Sequence, residues 1–372
     1  MICAKVAARM KEKVKLQIGL VAIGVLWLGW MLFCVSFVVV RRDPLEGQYD
    51  SVPVPSRESR CNLSWYGVNI AGAEFGDKSL HPTRKHIDRY AQMGMNHIRF
   101  PFFWQRLKED LDSQGVEAFE NWHWSQFLDF VSYATVEHNM MVILDSHGVE
   151  IPTPFVSNPA LAASYIQFWK DVASYPLFKS NPLIMFDVLN EPALVDSDSI
   201  IKFMNEMIVA IRGVGAENLI LVSGTRWSGA YSWTQDWGSG LHGRSNAEAA
   251  MAVRDPLNRF AFSLHQYFDS DNGGKLNECK GEAAEVKLKD VTDWLRTNRR
   301  RAFLTEMAAG TGINCAEDLK SLLDYVEQNS DVWMGWSWWA GGSWDDDYVS
   351  SIEDRGNAEK HIPELRSRFL SC

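Results

Sequence analysis

The stretch that decides the fold reads LIMFDVLNE at residues 183–191, a nearly continuous apolar run that ends in Asn190 and Glu191. An apolar run of this length, without regular polar alternation, is typical of a strand that is covered on both faces of a parallel sheet. The two polar residues that close the run lie where such a strand ends. The stretch therefore predicts a buried parallel strand with polar side chains at its carboxyl end.

Seven other short apolar runs recur along the chain, separated by segments with helical periodicity. In two of these segments, residues 196–213 and 317–329, the apolar side chains fall on one helical face. Strands that alternate with helical crossovers indicate β-α units around a parallel sheet. Eight such strands predict an α/β protein with a closed (β/α)8 barrel. The predicted strands are 64–70, 97–102, 140–147, 183–190, 219–224, 261–267, 301–307 and 334–340.

Most of the predicted strands end in polar or aromatic side chains. In a (β/α)8 barrel the carboxyl ends of the strands and the loops after them converge on one face, where the active site forms. We therefore expect these side chains to surround a common site. They are Arg99, Asp145, Ser146, His147, Asn190, Glu191, His265, Gln266, Tyr267, Thr305, Glu306, Trp338 and Trp339.

Two glutamates among them, Glu191 and Glu306, follow the fourth and seventh strands and could face each other across the barrel mouth. Hydrolysis of a glycosidic bond needs one carboxylic acid that protonates the departing oxygen and one carboxylate that attacks or assists at the anomeric carbon. Carboxyl groups about 5–5.5 Å apart give retention, and about 6.5–9.5 Å gives inversion. The competing interpretation is a pair of solvated acids, which the buried apolar runs before both residues disfavour.

A series of short motifs follows in consistent order along residues 61–372. The motifs are YGVN at 66–69 with AEFG at 73–76, IRFPF at 98–102, VILD at 142–145 with His147, NEP at 190–192, HQYFDSD at 265–271, LTE at 304–306 and GWSWWAG at 335–341. Together they resemble glycoside hydrolase family 5, and within it the fungal and bacterial endo-β-1,4-glucanases. The resemblance implies a retaining endo-β-1,4-glucanase that acts on a β-glucan by double displacement, without metal or cofactor.

The resemblance also implies roles for individual residues. Glu191 would be the acid/base and Glu306 the nucleophile, while Asn190 would bind the sugar 2-hydroxyl. On physical grounds, Arg99 and a hydrogen bond from Tyr267 would keep Glu306 ionised. The alternative for Arg99 is a structural ion pair on the barrel rim.

Two histidines and a tryptophan complete the predicted substrate site. His147 and His265 match family positions that hydrogen-bond the substrate or the carboxylates, and Trp339 matches the aromatic platform under the sugar at the cleavage point. A histidine near a strand end is also often a satisfied core residue. Trp227 resembles a family segment near the substrate, but packing in the barrel is the alternative.

One departure from the family pattern leaves the substrate open. Many relatives have His-Asn after the third strand, where this chain has His147-Gly148. A β-mannanase or a β-1,3-glucanase on the same barrel therefore remains an alternative, as does a catalytically silent glycan-binding ectodomain. No metal site is predicted, because the acidic run at residues 345–347 lacks the ligand spacing of a calcium site.

The charge is unevenly distributed. Residues 1–42 contain seven Lys or Arg and one Glu, a net charge of +6, so the remainder of this −10 chain carries −16. A body this acidic repels phosphate backbones, which makes nucleic acid an unsuitable partner.

The N-terminal region predicts a membrane anchor. Residues 16–40 are uncharged and long enough to cross the hydrocarbon core as a helix, and they lack a signal-peptidase type of cleavage site. The excess of basic residues in 1–15 predicts a cytoplasmic tail, so the body would be extracytoplasmic. Residues 41–60 would be a spacer before a catalytic domain at 61–372. The alternative is a cleaved signal peptide and a secreted enzyme.

Four cysteines lie in the predicted body, and none has zinc-like spacing. In an oxidising compartment they allow two disulfide bridges. We expect Cys279 to pair with Cys315, which leaves Cys61 for Cys372. Buried free thiols are the alternative for the second pair.

Overall fold

The computed structural model describes residues 63–75, 77–112, 122–148, 155, 157–238, 242–343 and 347–370. Eight parallel strands pair in chain order and close into a barrel, as predicted. The strands are β1 (Trp65–Ala71), β2 (His97–Phe102), β3 (Met141–Ser146), β4 (Ile184–Asp187), β5 (Leu219–Val222), β6 (Phe260–Tyr267), β7 (Ala302–Ala308) and β8 (Trp333–Gly342).

Helices follow the strands and cover the outside of the barrel. Those among the described residues are α1 (Arg84–Met93), α2 (Trp104–Asp112), α3 (Trp122–Ser132), α4 (Pro159–Ser174), α5 (Ser197–Gly213), α6 (Asn246–Ala250), α7 (Ala284–Thr297), α8 (Cys315–Gln328) and α9 (Ile362–Leu370). Local signals set their starts: the Asp196 carboxylate accepts the N–H of Ser199 at the first turn of α5, which satisfies one of the free amides of a helix N-terminus.

The fourth strand is shorter than its apolar run predicts. The run extends to Asn190, whereas β4 ends at Asp187. The carbonyl of Val188 accepts hydrogen bonds from the Tyr165 hydroxyl at 2.6 Å and the Trp169 indole at 3.1 Å. Side chains of α4 thus replace a neighbouring strand as the partner of this backbone, and the following residues turn toward the barrel mouth.

The barrel interior changes character along its axis. Its lower part is filled by apolar side chains, as expected for a packed barrel core. They are Trp65, Met141, Ile143, Met185, Leu221, Ala261, Phe303 and Met334. Toward the carboxyl ends, polar residues lie beside one another in neighbouring strands: Asn69 pairs with Arg99, and Asp145 with Asp187. All four are fully buried, so the site above rests on a buried layer of polar and charged groups.

Other predictions concern the cysteines and the N-terminus. Cys279 and Cys315 form a disulfide bond, as expected. The remaining pair, Cys61 and Cys372, lies outside the described residues, as does everything predicted for residues 1–60. Among the helices that the structure describes, none has the length and apolar character needed to cross a bilayer.

Candidate active site

A cleft of about 650 Å³ opens at the carboxyl ends of the strands. Seven of the eight strands contribute residues to it, either from the strand itself or from the loop that follows, and both predicted catalytic glutamates line it. The lining residues are Glu74, Phe75, Phe103, Gln105, His147, Gly148, Glu191, Tyr267, Gly273, Lys275, Glu306, Trp339 and Tyr348. The cleft therefore combines carboxyl groups with several aromatic side chains.

Glu306 lies near the end of β7, and only 4% of its side chain is exposed. Its Oε1 accepts a hydrogen bond from Nη1 of Arg99 at 2.7 Å, and its Oε2 accepts one from the Tyr267 hydroxyl at 2.6 Å. These are the two groups that the sequence placed around this carboxyl. Both oxygens of this buried carboxyl group therefore have a hydrogen-bond donor, one of them a charged guanidinium.

Arg99 is fully buried at the centre of the polar layer. Besides Glu306, its guanidinium bonds Asp187 at 2.9 Å and lies 3.0 Å from Asp145. Two amide oxygens, on Asn69 at 2.8 Å and on Asn190 at 2.7 Å, also accept from it. Burial by itself would lower the pKa of Arg99, but the three carboxylates raise it above its ordinary value. The interpretation as a rim ion pair is wrong, because this guanidinium lies inside the barrel.

Glu191 follows β4 in the left-handed backbone region, with φ of 42°. This conformation is unfavourable for a residue with a Cβ atom. Oε1 of the carboxyl group is hydrogen-bonded to Nδ1 of His265 at a distance of 2.7 Å. Burial raises the pKa of Glu191 to about 7, against the lowering effect of His147 and Arg99. The group can therefore hold a proton near neutral pH, even though 28% of the side chain is exposed to the cleft.

The two glutamates approach each other closely. One oxygen of Glu191, one oxygen of Glu306 and one ring nitrogen of His265 all lie within 4.8 Å of one another. Three such ligand atoms could in principle hold a cation. Here both oxygens of Glu306 already accept hydrogen bonds from Arg99 and Tyr267, so a cation would have to compete with a buried guanidinium.

His265 lies between the two glutamates. Its Nδ1 is 2.7 Å from Glu191 and 3.4 Å from Glu306, while its Nε2 is buried without a hydrogen-bond partner among the described residues. Burial lowers the pKa of His265 to about 4. The ring is therefore neutral at ordinary pH. Its Nδ1 lies near the carboxyl groups of both Glu191 and Glu306.

His147 takes a different position from His265. Its Nδ1 lies 2.8 Å from Asp145, and its ring stacks on Trp339 with centroids 5.1 Å apart. Burial alone would lower the pKa of His147, but Asp145 and the neighbouring glutamates raise it to about 9. Its other ring nitrogen lies 3.4 Å from the amide nitrogen of Asn190. Among the described residues its carboxylate partner is thus Asp145, and the ring packs against Trp339.

Comparison with known proteins places this site in a family. A model of the Cellulase family, glycosyl hydrolase family 5, matches residues 56–342. The chain belongs to glycosyl hydrolase family 5. Among curated relatives, a probable endo-β-1,4-glucanase B of Aspergillus oryzae is 31% identical over 303 residues, covering 78% of this chain and 85% of the relative. Endoglucanase 3 of Humicola insolens is 32% identical over 309 residues, covering 79% and 74%.

Solved structures of endoglucanases superpose on this family 5 barrel. An endo-β-1,4-glucanase from Xanthomonas axonopodis pv. citri is 32% identical with a TM-score of 0.69, covering 83% of this chain and 99% of that chain. XacCel5A in complex with cellopentaose is 30% identical with a TM-score of 0.69, covering 82% and 99%. The chain is thus a glycoside hydrolase of the cellulase type.

Several residues of this family 5 site escaped the sequence interpretation. Asp187 bonds Arg99, although in the sequence it stands within an apolar run, and Glu74 and Lys275 line the cleft. A charged residue inside an otherwise apolar strand was the available signal for Asp187, because a buried charge requires a partner. For Lys275, in a polar loop, the sequence carried no signal.

Trp227 is 48% exposed, so packing in the barrel is not its role. Residues 226–228 all adopt positive φ, between 54° and 58°. The Trp227 amide donates to the carbonyl of Pro192 at 3.0 Å, one residue after Glu191. In this family 5 barrel an exposed indole therefore lies beside the loop that carries Glu191.

Proposed function

We propose that this family 5 protein is a retaining endo-β-1,4-glucanase. The observation that carries the proposal is the close approach of Glu191 and Glu306. One carboxyl oxygen of each residue lies within 4.8 Å of the other. This separation favours direct attack by one carboxylate over attack by an intervening water, which requires about 6.5–9.5 Å.

In the first step Glu306 attacks the anomeric carbon and forms a covalent glycosyl-enzyme. Glu191 gives its proton to the departing glycosidic oxygen, so the bond breaks without release of an alkoxide. In the second step Glu191 removes a proton from water, which attacks the same carbon and releases Glu306. Two inversions restore the original configuration.

The electrostatics support this division of roles. Arg99 and Tyr267 each donate to a different oxygen of Glu306, which fixes the orientation of the carboxyl group proposed to attack. Burial raises the pKa of Glu191 to about 7, so this group carries its proton into the first step. Asn190 has its oxygen held by Arg99 at 2.7 Å, which leaves its amide hydrogens available to the sugar.

A β-1,4-linked glucan is the substrate that the relatives favour. Endo-β-1,4-glucanases match along most of the barrel, and one matched solved structure is described as a complex with cellopentaose. A cleft of about 650 Å³ with Trp339 in its wall suits a sugar whose apolar face stacks on an indole. We therefore propose cleavage within soluble or amorphous β-1,4-glucan chains.

Replacement of the nucleophile tests the mechanism. Glu306→Gln keeps the side-chain volume but removes the attacking carboxylate, so we expect turnover of barley β-glucan to fall at least about a thousandfold. Reducing-end release measures this loss. Glu359→Gln, on the surface after β8, is the matched control and should retain full activity. Persistent turnover by Glu306→Gln would show that another group attacks the sugar.

A panel of polysaccharides separates the substrate alternatives. We expect reducing ends from carboxymethyl-cellulose and barley β-glucan, and much less product from β-mannan or a β-1,3-glucan. Preferred cleavage of mannan would assign the barrel to the β-mannanases. Binding of all glucans without product would instead support a silent glycan-binding domain.

We also propose that residues 16–40 form an uncleaved anchor that holds the catalytic barrel on the extracytoplasmic side of a membrane. The argument rests on their apolar, uncharged sequence and on the basic residues before them. Substrate would then be met outside the cytoplasm, where the Cys279–Cys315 disulfide is also stable.

A further inference from the structure

The left-handed turn at residues 226–228 is a strained segment beside the loop that carries Glu191. Arg226, Trp227 and Ser228 have φ values of 58°, 55° and 54°. Three consecutive residues other than glycine are unfavourable in this region, because each Cβ atom crowds the following carbonyl oxygen. A strained segment of this kind persists only where surrounding contacts hold it, and such segments cluster at functional sites. The contacts of this turn therefore indicate what its conformation serves.

One side of the turn holds the loop that follows Glu191. The Trp227 amide donates to the carbonyl of Pro192 at 3.0 Å. The hydroxyl of Thr225, one residue before the turn, donates to the carbonyl of Val195 at 2.5 Å. Since β4 ends before this loop begins, these hydrogen bonds take the place of a neighbouring strand in fixing the backbone after the proposed acid.

The other side of the turn holds β6, which carries His265. The carbonyl of Ser228 accepts the N–H of His265 at 3.0 Å. The Ser228 hydroxyl donates to the carbonyl of Ser263 and accepts the N–H of Gly224 at 3.2 Å. Ser228 is fully buried, so bulk water does not replace the hydroxyl when it is removed. The turn thus bonds both β6 and the loop after Glu191.

These contacts form a closed circuit through the proposed acid. The circuit runs from the Glu191 carboxyl group to the side chain of His265, 2.7 Å away, and on to the backbone of that histidine. It then continues through Ser228 and Trp227 to the carbonyl of Pro192, the residue after Glu191. Glu191 itself has a positive φ of 42°, so its own backbone also depends on surrounding contacts. The turn therefore links the acid to its histidine partner through the backbone.

We infer that Ser228 is a positioning residue for general-acid catalysis, whose hydroxyl holds the left-handed turn that places Glu191 against the departing glycosidic oxygen. The inference rests on the proposed function, because it takes Glu191 as the proton donor. Ser228 acts through the backbone of Pro192 and of His265, and not by contact with the sugar. Loss of its hydroxyl removes the donor of one buried carbonyl and the acceptor of one buried amide, so the strained turn relaxes and the acid moves.

The competing explanation is that Ser228 only stabilises the fold, and two substitutions at this position address it. Ser228→Ala removes the hydroxyl but keeps a Cβ atom, so the left-handed conformation stays unfavourable. Ser228→Gly also removes the hydroxyl, yet glycine adopts positive φ without strain. If the hydroxyl acts by holding the turn, glycine should restore part of what alanine loses.

Ser180 provides a matched control at the opposite end of the barrel. It precedes β4, has a φ of 55°, and its hydroxyl accepts the N–H of Glu217 at 3.2 Å. Ser180→Ala therefore removes the same group from the same backbone conformation, far along the chain from the turn at 226–228. We expect it to leave the kinetics of the enzyme unchanged.

Two aryl cellobiosides separate acid catalysis from folding. The leaving group of 2,4-dinitrophenyl β-cellobioside departs without a proton, whereas that of phenyl β-cellobioside needs one from the acid. For Ser228→Ala we expect kcat/KM to fall roughly tenfold on the phenyl substrate and at most about twofold on the dinitrophenyl substrate. Ser228→Gly should show a smaller selective loss. The ratio of the two kcat/KM values does not depend on the folded fraction, because both substrates report the same active molecules.

Glu191→Gln distinguishes this inference from the proposed function. This variant should lose activity on the phenyl substrate selectively, by about a hundredfold or more. Equal losses on both substrates in Glu191→Gln would contradict its role as the acid, and with it the proposed mechanism. A selective loss in Glu191→Gln with an unchanged ratio in Ser228→Ala overturns only the role of Ser228. Equal losses on both substrates in Ser228→Ala also overturn it, because a purely structural role affects both alike. Ser228→Gly with as large a selective loss as Ser228→Ala rules out action through the left-handed turn.

Discussion

Arg99 is the residue on which the buried polar layer depends. Its guanidinium contacts Asp145, Asp187 and Glu306, three carboxylates that would otherwise be buried close together without a counter-charge. The planar fork of an arginine can serve several acceptors in different directions, whereas a lysine ammonium is a single point charge. The residue therefore links barrel stability to Glu306, the carboxylate proposed to attack the sugar.

Replacement of Arg99 by Met should destabilise the protein strongly. We expect the free energy of unfolding to fall by about 3–5 kcal/mol, since removal of one partner from a buried ion pair leaves uncompensated charge. Denaturant titration followed by tryptophan fluorescence measures the change. Arg84→Gln, which breaks an exposed pair with Asp129, is the control and should cost at most about 1 kcal/mol. Similar losses in the two variants would contradict the central role of Arg99.

The protonation of Glu191 predicts the alkaline side of the pH profile. As the proposed acid, Glu191 must carry its proton to assist departure of the leaving group, and burial raises the pKa of Glu191 to about 7. Activity should therefore fall as the pH rises through about 7. Lys275 lowers the pKa of Glu191, so Lys275→Gln should shift this descending limb to higher pH. The shift is measured from initial rates on barley β-glucan at about ten pH values between pH 5 and pH 9.

A matched lysine provides the control for this pH shift. Lys289, on the outer surface of α7, pairs with Asp293 and lies outside the cleft. Lys289→Gln should leave the descending limb where it is in the unaltered enzyme. A shift of equal size in both variants would indicate a general effect of net charge and would contradict a local action of Lys275 on Glu191.

At the scale of elements, the disulfide joins two loops that flank the catalytic face. Cys279 follows β6, which carries Tyr267, and Cys315 begins α8 after β7, which carries Glu306. The bridge closes a sequence separation of 36 residues. Such a link mainly restricts the unfolded chain.

Removal of this bridge should therefore lower stability more than it changes the site. For the double variant Cys279→Ser with Cys315→Ser, we expect a loss of about 2–4 kcal/mol in the free energy of unfolding. Denaturant titration measures it, and the unaltered protein treated with a reducing agent is the comparison. An unchanged unfolding midpoint in both would mean that the bridge does not limit the unfolded chain.

The elements also show what the sequence can and cannot predict. The apolar runs predict all eight strands and their parallel order, because covered strands need continuous apolar side chains. The sequence does not predict where β4 ends. Val188 is apolar like the strand before it, but its carbonyl accepts hydrogen bonds from two side chains of α4 instead of from a neighbouring strand. The contacts of Arg99 with Asp187 and Asp145 are missed for a related reason: only the strand register brings distant residues into one layer.

At the scale of the whole molecule, the charge divides the chain into two parts, for which we propose different environments. The first 42 residues carry +6 and contain the apolar stretch 16–40, whereas the remainder carries −16. A basic segment before an apolar helix is retained on the cytoplasmic side. An acidic hydrolase body with a disulfide bond suits the other side, where its polymer substrate is accessible.

The proposed anchor predicts how the full chain behaves on extraction. The unaltered protein should stay with the membrane in alkaline carbonate, because about 20 apolar residues suffice to hold a helix in the bilayer. A variant with Val25→Arg and Leu26→Arg should lose this retention, as each arginine at the helix centre costs about 2.5–3.5 kcal/mol. Immunoblots of pellet and supernatant measure the distribution, with Lys289→Gln as the control. A mature chain whose N-terminal sequence begins after residue 40, found in the medium, would instead establish a secreted enzyme.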